Sequence, residues 1–371
     1  MFVPCPREQA PAGTGSHPGL QVNEQVCTGP AVFLLRLNGK DLTMSTRGKL
    51  GMMLALAASL CTASAVAQES AAQWPDKPVH FIVPFAVGGS TDLVMRRVAD
   101  ELGKETGHPM IVENRVGGGG LVGASWITRQ KPDGYTLMIG TISTHAMHPS
   151  VFKSLPYDIF KDFTPVTMIG TIPDLIVVNP QVPAKTLPEF IALAKAKPGR
   201  ITYASGGPGT SSHLGAEYFA AEAGIKLNHI PYKGSGPALV DALGGHVDMM
   251  LDVIMTSLEP VKNGRMRALA VTSLTRSPLM PDVPTVDELG IKNFEAIIWF
   301  AIYGPAGLQP DMQQRIADRI DHVLQRPDMK AFLLQQGIQV AGTGPAQLSQ
   351  QMRTDYAKWK HVVEISGFEP Q

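Results

Sequence analysis

Three times in this chain, an apolar run ends in a turn rich in glycine and hydroxyl residues that opens a helical segment. These units are Val79–Asp92 (VHFIVPFAVGGSTD), Tyr203–His213 (YASGGPGTSSH) and His229–Gly236 (HIPYKGSG). Glycine lets a backbone approach a ligand closely, and the N–H groups of a first helical turn have no acceptor inside the helix. These donors and the positive end of the helix dipole favour a carboxylate or phosphate. Each unit is therefore either an anion site or an ordinary strand-to-helix turn with a good cap.

Strand and helix patterns alternate through the middle of the chain, and the end is mainly helical. Further strands are predicted over 110–113, 136–139, 166–169, 175–178, 201–204, 228–230, 247–251 and 268–271. Helices are predicted over 121–130, 187–196, 210–223, 238–243, 311–324, 329–336 and 346–363. This alternation predicts the α/β class, with parallel sheets covered by helices on both faces. Proline-bounded strands near 165–180 and 281–305 predict two crossovers between two lobes.

The N-terminal region contains an export signal that begins at an internal methionine. Met44 is followed by two basic residues, by an apolar stretch over 50–60 and by an A-x-A cleavage site that ends at Ala67. The stretch has the length of a signal-peptide core and is too short to span a bilayer. We therefore predict a signal peptide over 44–67, cleavage after Ala67, a periplasmic location and a non-native upstream extension over 1–43.

The mature chain is free of cysteine and nearly neutral. Cys5, Cys27 and Cys61 all precede the predicted cleavage site, which excludes disulfides, thiolate metal sites and a cysteine nucleophile. Cys61 also allows a lipoprotein signal, but Leu60 is bulky where a small residue should stand. Residues 1–67 hold five of the 32 Lys and Arg and three of the 32 Asp and Glu, so 27 basic and 29 acidic residues remain. With a formal charge of −2 and no basic tract, we expect no nucleic-acid partner.

Motifs for cofactors, metals and catalysis are incomplete. Gly118-x-Gly120-x-x-Gly123 has the spelling of a dinucleotide fingerprint, but no acidic residue follows the next predicted strand. His145 and His148 are three residues apart without supporting carboxylates, which leaves a zinc site as a weak alternative. No nucleophile elbow or P-loop occurs. We expect a binding protein with no cofactor and no metal, and not an enzyme.

From Trp74 onwards, the chain resembles the Bug family, the periplasmic solute receptors of tripartite tricarboxylate transporters. The resemblance rests on co-linear motifs, among them IVPFAVGGSTD, VENRVGGGGLVGA, KPDGYTL, YASGGPGTSSHLGAEYF and HIPYKGSGPALVDALGGHVDMMLD. It implies a two-lobed Venus-flytrap fold, each lobe a sheet flanked by helices. We assign lobe 1 to 74–172 and 294–371, and lobe 2 to 173–293. It also implies capture of a small carboxylate between the lobes by a monomer, for a membrane permease or for sensing.

In the family, the first and second glycine loops hold the ligand carboxylate, largely through main-chain N–H groups and hydroxyls. Asp252, which follows a strand, is a weaker candidate for contacting the rest of the ligand, and a structural role is its alternative. The ligand-binding residues that the resemblance implies here are Phe85, Ala86, Gly89, Ser90, Thr91, Ser205, Gly209, Thr210, His213 and Asp252.

The sequence departs from the family pattern at two places. Gly117–Gly120 is an unbroken glycine run where members commonly carry an alanine, and Trp299-Phe300-Ala301 replaces the usual Trp-x-Gly. The second change could reshape the hinge or the pocket, so the identity of the ligand is not inherited. Two rival functions stay open. One is an exported α/β hydrolase, and the other is a two-lobed receptor for phosphate, sulfate or a metal.

Overall fold

The computed structural model describes residues 74–366 and 368–370. The predicted signal peptide and the extension before it lie outside this part of the chain. The strands are β1 (Val79–Val83), β2 (Met110–Asn114), β3 (Thr136–Thr141), β4 (Phe163–Val178), β5 (Thr202–Ser205), β6 (Asn228–Pro231), β7 (Met249–Val253), β8 (Arg267–Val271), β9 (Ile297–Pro305) and β10 (Gln339–Val340). The predicted α/β class is confirmed.

Helices follow most of the strands. They are α1 (Ser90–Thr106), α2 (Leu121–Ile127), α3 (His148–Val151), α4 (Leu187–Ala196), α5 (Ser211–Ala223), α6 (Ser235–Gly244), α7 (Ile254–Lys262), α8 (Pro310–Gln325), α9 (Pro327–Gln335) and α10 (Gly344–Ser366). A 3₁₀ turn at Gly118–Gly120 precedes α2, and a π-helical turn at Ser143–Met147 precedes α3. None of the helices in the described ranges is long and apolar enough to cross a membrane.

The strands pair in two groups that share β4. In the first group, β2, β1 and β3 are parallel, and β9 lies antiparallel between β3 and β4. In the second group, β6, β5 and β7 are parallel, and both β7 and β8 are antiparallel to β4. Residues 163–173 of β4 pair with β9, whereas residues 174–178 pair with β7 and β8. One long strand therefore passes from one group to the other.

The prediction of parallel sheets is correct for only part of each group. Each group has a parallel part built from strand–helix–strand units, but β4 and β9 pair with their neighbours in the antiparallel direction. Parallel neighbours need a crossover connection of a dozen or more residues. β4 and β9 pass between the groups without such a crossover connection. They therefore pair with their neighbours in the antiparallel direction.

The two separate strands predicted over 166–169 and 175–178 are one strand of 16 residues, β4. This strand contains two prolines, Pro165 and Pro173. A proline cannot donate to the ladder, yet bulges accommodate it. The β4–β9 register shifts between Pro165 and Thr167 and again between Met168 and Gly170, so the strand continues through its prolines.

Apolar packing of β1 and α1 fixes the position of the first loop. Val94, Met95, Val98 and Leu102 recur at helical spacing, and all four are buried in the core. β1 is buried along most of its length. Because strand and helix are both fixed by apolar packing, the turn from Pro84 to Gly89 has little freedom. It presents the first turn of α1 at the end of the sheet.

Candidate functional site

The first loop is held by one buried carboxylate. Asp92 accepts hydrogen bonds from the backbone N–H of Gly88 (3.0 Å), the side-chain amide of Asn114 (2.9 Å) and Nε of Arg96 (3.0 Å). The same amide nitrogen of Asn114 donates to the carbonyl of Phe85 (3.0 Å). Burial opposes ionisation of Asp92, but these donors outweigh it and hold its pKa below the usual value. A charged group therefore ties the loop to both α1 and β2.

This arrangement leaves donors at the start of α1. Gly89 is the N-cap, with extended backbone angles, and its own N–H donates to Ala86. The first bond of the helical ladder runs from the N–H of Leu93 to the carbonyl of Gly89 (3.0 Å). The N–H groups of Ser90 and Thr91 therefore precede the ladder, and they have no acceptor among the described residues.

The second loop is organised by hydrogen bonds within itself. Thr210 is the N-cap of α5, and its hydroxyl donates to the carbonyl of Gly207 (2.7 Å). The Gly206 N–H donates to Oγ of Ser212 (3.0 Å), and the Gly207 N–H donates to Oγ of Ser205 (3.1 Å). These bonds fold the glycines tightly beneath the start of α5. The start of this helix is thereby held in place.

His213 lies on the far side of the second loop and is neutral. Its Nδ1 accepts from the N–H of Gly209 (3.2 Å), and its ring stacks on His229 at 3.8 Å between centroids. Burial and the neighbouring His229 lower the pKa of His213 to about 3. An uncharged ring at this place supports the loop and supplies no positive charge to an anion.

The third loop brings a further helix start to the same place. Gly234 precedes α6 with φ of 125°, a region that L side chains rarely adopt. A Cβ built on it would lie 3.1 Å from the Cβ of Ala86 in the first loop. Lys233 is exposed, and the hydroxyl of Tyr232 donates to Asp241 (2.6 Å). This loop contributes its backbone, whereas the charge of Lys233 stays at the surface.

The three helix starts surround one cavity of about 50 Å³. Its wall also includes parts of β3, β4, β7 and β9 and the π-helical turn. The lining residues are Phe85, Ala86, Gly89, Ser90, Thr91, Thr141, Ser143, Asp174, Gly206, Thr210, Ser211, Ser212, Gly234, Ser235, Leu251, Asp252, Val253, Ile298 and Phe300. The wall is thus rich in N–H groups and hydroxyls, and none of these residues is Lys or Arg.

Direct contacts between loops close the cavity on one side. The N–H of Ser211, at the start of α5, donates to Oγ of Ser143 in the π-helical turn (2.9 Å). Gly119, in the glycine run, comes so near the second loop that a Cβ on it would lie 2.3 Å from the carbonyl oxygen of Pro208. Only glycine permits this approach, so the glycine run is part of the contact between the two halves of the site.

Two acidic residues from adjacent strands line the same cavity. Asp252 accepts hydrogen bonds from the hydroxyls of Thr256 (2.6 Å) and Ser257 (2.7 Å) at the start of α7, and burial raises its pKa to about 6. Asp174 lies diagonally across the β4–β7 pair, since its register partner is Val253. Burial, followed by the charge of Asp252, raises the pKa of Asp174 well above its usual range.

The residues singled out from the sequence fall into two sets. Those that line the cavity are Phe85, Ala86, Gly89, Ser90, Thr91, Thr210 and Asp252. Ser205, Gly209 and His213 are not among its lining residues, and they support the second loop from beneath. Sequence reasoning missed Thr141, Ser143, Asp174 and Phe300, which come from other elements. For these residues the sequence offered one signal, the departure of Trp299-Phe300-Ala301 from the family pattern. Phe300 of this segment lies in the cavity wall.

The weak zinc alternative at His145 and His148 has no support in the described part of the chain. The ring of His145 stacks on Tyr303 at 3.7 Å between centroids, and Nδ1 of His148 shares a 2.6 Å hydrogen bond with the hydroxyl of Tyr157. Among the described residues, no group of three or more His, Cys, Asp or Glu is placed to hold a metal ion. Both histidines are buried among aromatic rings.

Comparison with known proteins gives the class. A family model described as the tripartite tricarboxylate transporter family receptor matches residues 94–368. Protein BugT of Bordetella pertussis is 38% identical over 310 residues, which cover 83% of this chain and 95% of that protein. The chain therefore belongs to the tripartite tricarboxylate transporter receptor family, which confirms the resemblance seen in the sequence.

Solved structures support the same conclusion about the fold. A protein of R. palustris solved with adipate is 30% identical with a TM-score of 0.78, and it covers 81% of this chain and 100% of its own. MatC from Rhodopseudomonas palustris, solved with bound malate, is 30% identical with a TM-score of 0.75, and the match covers 78% of this chain and 100% of MatC. The two-lobed periplasmic-binding-protein fold is thereby confirmed.

Removing the charge of Asp174 should stabilise the protein at neutral pH. Because its pKa is raised in the native state, the native protein loses stability as the pH rises above about 4, the usual pKa of an unfolded Asp. We expect Asp174→Asn to raise the free energy of unfolding at pH 7, because the amide does not titrate, by about 1.4 kcal/mol for each unit by which the native pKa of Asp174 exceeds its unfolded value below pH 7. At pH 4 the gain should be small.

Urea unfolding at both pH values measures this difference. Glu259→Gln is the matched control, because that carboxylate is exposed on α7 and its side chain is 72% accessible. It should change stability little at either pH. If Asp174→Asn is less stable than the wild type at pH 7, the prediction is wrong and the Asp174 carboxyl group stabilises the native state.

Proposed function

We propose that this protein is a periplasmic solute-binding receptor that captures a small carboxylate between two lobes. The observation that carries the proposal is the convergence of helix N-termini on one cavity with no Lys or Arg in its described wall. Unpaired first-turn N–H groups bind anions without a cationic side chain. The relatives solved with adipate and malate bind carboxylates in the same fold.

The change of strand pairing within β4 supports the assignment of the lobes. Lobe 1 would comprise 74–172 and 294–371, and lobe 2 would comprise 173–293, so that β4 and β9 are the connecting strands. The first loop and the glycine run then belong to lobe 1, and the second and third loops belong to lobe 2. A ligand held by loops from both lobes favours the closed form by its differential affinity for that form.

Family membership supports the remaining parts of the proposal. The receptor would act as a monomer in the periplasm after cleavage behind Ala67. It would deliver its solute to the permease of a tripartite transporter, or report the solute to a sensing system. Of the ten residues predicted from the sequence, we propose that the seven in the cavity wall contact the ligand. The other three, Ser205, Gly209 and His213, would maintain the conformation of the second loop.

The rival hydrolase function has one supporting contact. Oγ of Ser205 lies 2.6 Å from Nε2 of His229, the spacing of a nucleophile and its base. However, Ser205 is fully buried, is not among the lining residues of the cavity, and accepts a bond from the Gly207 N–H. Neither Ser205 nor His229 is therefore exposed to a substrate in the cavity. A receptor for a doubly charged phosphate or sulfate is disfavoured because the described wall lacks a basic side chain.

Replacing Ser90 by proline should weaken carboxylate binding without breaking the helix. Ser90 is the first residue of α1, a position where proline fits, and Gly89 before it is already extended. The substitution removes the N–H and the hydroxyl together. Because a hydrogen bond to a charged group contributes about 1.5–3 kcal/mol, we expect the affinity to fall at least about tenfold.

Titration calorimetry with mono-, di- and tricarboxylates, amino acids, phosphate and sulfate identifies the ligand and then measures the variant. Ser90→Ala is the control, because it removes the hydroxyl and keeps the N–H, and its loss of affinity should be smaller. Equal losses in the two variants would contradict recognition by the main chain. Binding of phosphate or sulfate alone would contradict the carboxylate.

Replacing Gly119 by alanine should hinder closure. A Cβ at this position meets the Pro208 carbonyl of the other lobe, and overpacking of this kind costs about 1–3 kcal/mol. Gly118→Ala is the matched control. Its φ of 55° resembles the 63° of Gly119, so backbone strain is shared, but its Cβ would meet only Leu121 nearby. We expect Gly119→Ala to bind the ligand roughly five- to a hundredfold more weakly than Gly118→Ala does. Equal affinities would mean that this contact does not form on binding.

A further inference from the structure

A second cavity lies behind the strands that connect the two proposed lobes. We call it the rear cavity, and the cavity at the helix starts the front cavity. The wall of the rear cavity comes from β4, from β9, from the loop 273–279 after β8, and from parts of 334–339 at the end of α9 and the start of β10. Its volume of about 490 Å³ is within the range of small-molecule pockets.

The two connecting strands separate the rear cavity from the front cavity. Successive side chains of a strand point to opposite faces of the sheet. Asp174 and Ile298 line the front cavity, whereas their neighbours in sequence, Pro173 and Ile297, line the rear cavity. Pro173 and Ile297 are also register partners in the β4–β9 pair. The same pair of strands therefore forms one wall of each cavity.

The composition of the rear cavity suits an uncharged, apolar molecule. Six of its lining residues are proline, leucine or isoleucine. The two charged residues in its wall, Arg276 and Glu295, already have partners of opposite charge. Nη2 of Arg276 lies 2.7 Å from Oε2 of Glu288, and Oε2 of Glu295 lies 3.4 Å from Nζ of Lys358. A charged ligand would compete with these pairs, whereas an apolar ligand gains from the removal of its surface from water.

Both proposed lobes contribute to the rear cavity. Leu274 of lobe 2 is 50% exposed and Leu334 of lobe 1 is 53% exposed, so a molecule in solution can reach both. Gly337 of lobe 1, also in the wall, lies so close to lobe 2 that a Cβ on it would be 2.3 Å from Cγ2 of Ile254. Because the connecting strands lie between the two cavities, a rotation that opens the front cavity narrows the rear cavity. A molecule in the rear cavity therefore opposes opening.

We propose that the rear cavity binds a small, uncharged apolar molecule, and that this molecule strengthens capture of the carboxylate in the front cavity. The existence of the site is independent of the proposed function, whereas its effect on capture rests on that function. By linkage, the carboxylate strengthens binding of the apolar molecule by the same factor. The receptor would then retain its solute more firmly whenever the second molecule is present.

The dye N-phenyl-1-naphthylamine tests the site, because it is uncharged and becomes strongly fluorescent in apolar surroundings. We expect the mature protein at pH 7 to bind one molecule of the dye. Leu274→Asp and Leu334→Asp each replace a half-exposed leucine of the wall by a charge, so each should weaken dye binding at least about tenfold. Val240→Asp is the matched control. Val240 is 66% exposed on α6 and lines neither cavity, so this variant should bind the dye as the wild type does.

The effect on capture is measured by titration calorimetry of the tightest-binding carboxylate of the panel, with and without saturating dye. We expect the dye to increase the affinity for the carboxylate at least about fivefold, a typical coupling between two sites. Leu274→Asp should remove this gain and leave the affinity without dye unchanged, because Leu274 does not line the front cavity.

The opposing outcomes separate the site from the proposed function. If the wild type does not bind the dye, the proposal is wrong and the exposed leucines are left to a protein partner. Dye binding that both leucine variants retain would also overturn the site. Dye binding that leaves the carboxylate affinity unchanged, or lowers it, would overturn the effect on capture. If no carboxylate of the panel binds, the proposed function and the effect on capture fail together, whereas dye binding that the leucine variants lose still identifies the rear cavity.

Discussion

The site depends on main-chain N–H groups that the helices cannot satisfy themselves. Three helices, α1, α5 and α6, begin at one cavity, and residues of their first turns line it. Loops built of glycine, serine and threonine allow this, because larger side chains would keep the backbones apart. Gly119 and Gly234 each lie against a neighbouring loop, at distances that leave little or no room for a side chain. The anion site is therefore a consequence of how closely the loops pack.

The buried titratable residues near the cavity differ in what they contact. The ionised carboxylate of Asp92 fixes the first loop, and one oxygen of Asp252 accepts two hydroxyl hydrogen bonds at the start of α7. His213, which the sequence places beside the second loop, is kept neutral by burial against His229. Oδ1 of Asp174 is buried and makes no hydrogen bond to a described residue. Proteins often carry such destabilised groups at functional sites, where stability is exchanged for function.

Local signals in the sequence predicted much of the fold and a little more than a third of the cavity wall. The glycine turns and N-caps are properties of short segments, so the first loop and Thr210 could be located from spacing alone. His213 could not be placed correctly by proximity, because three residues of helix turn its ring away from the cavity. Asp174 and Ser143 reach the cavity through strand pairing and loop contacts between residues far apart in sequence. Likewise, the antiparallel entry of β4 and β9 depends on long-range pairing that no local pattern encodes.

The most direct measurement of the central claim is the amide NMR spectrum of the mature protein during titration with the carboxylate that binds most tightly. If the main chain of the helix starts captures the carboxylate, the amide protons of Ser90, Thr91 and Ser212 should move downfield with a common saturation curve, as expected for N–H groups that gain a charged acceptor. Amides at the start of α4, none of whose residues lines the cavity, should stay unchanged. Binding without a shift at these three amides would contradict the claim.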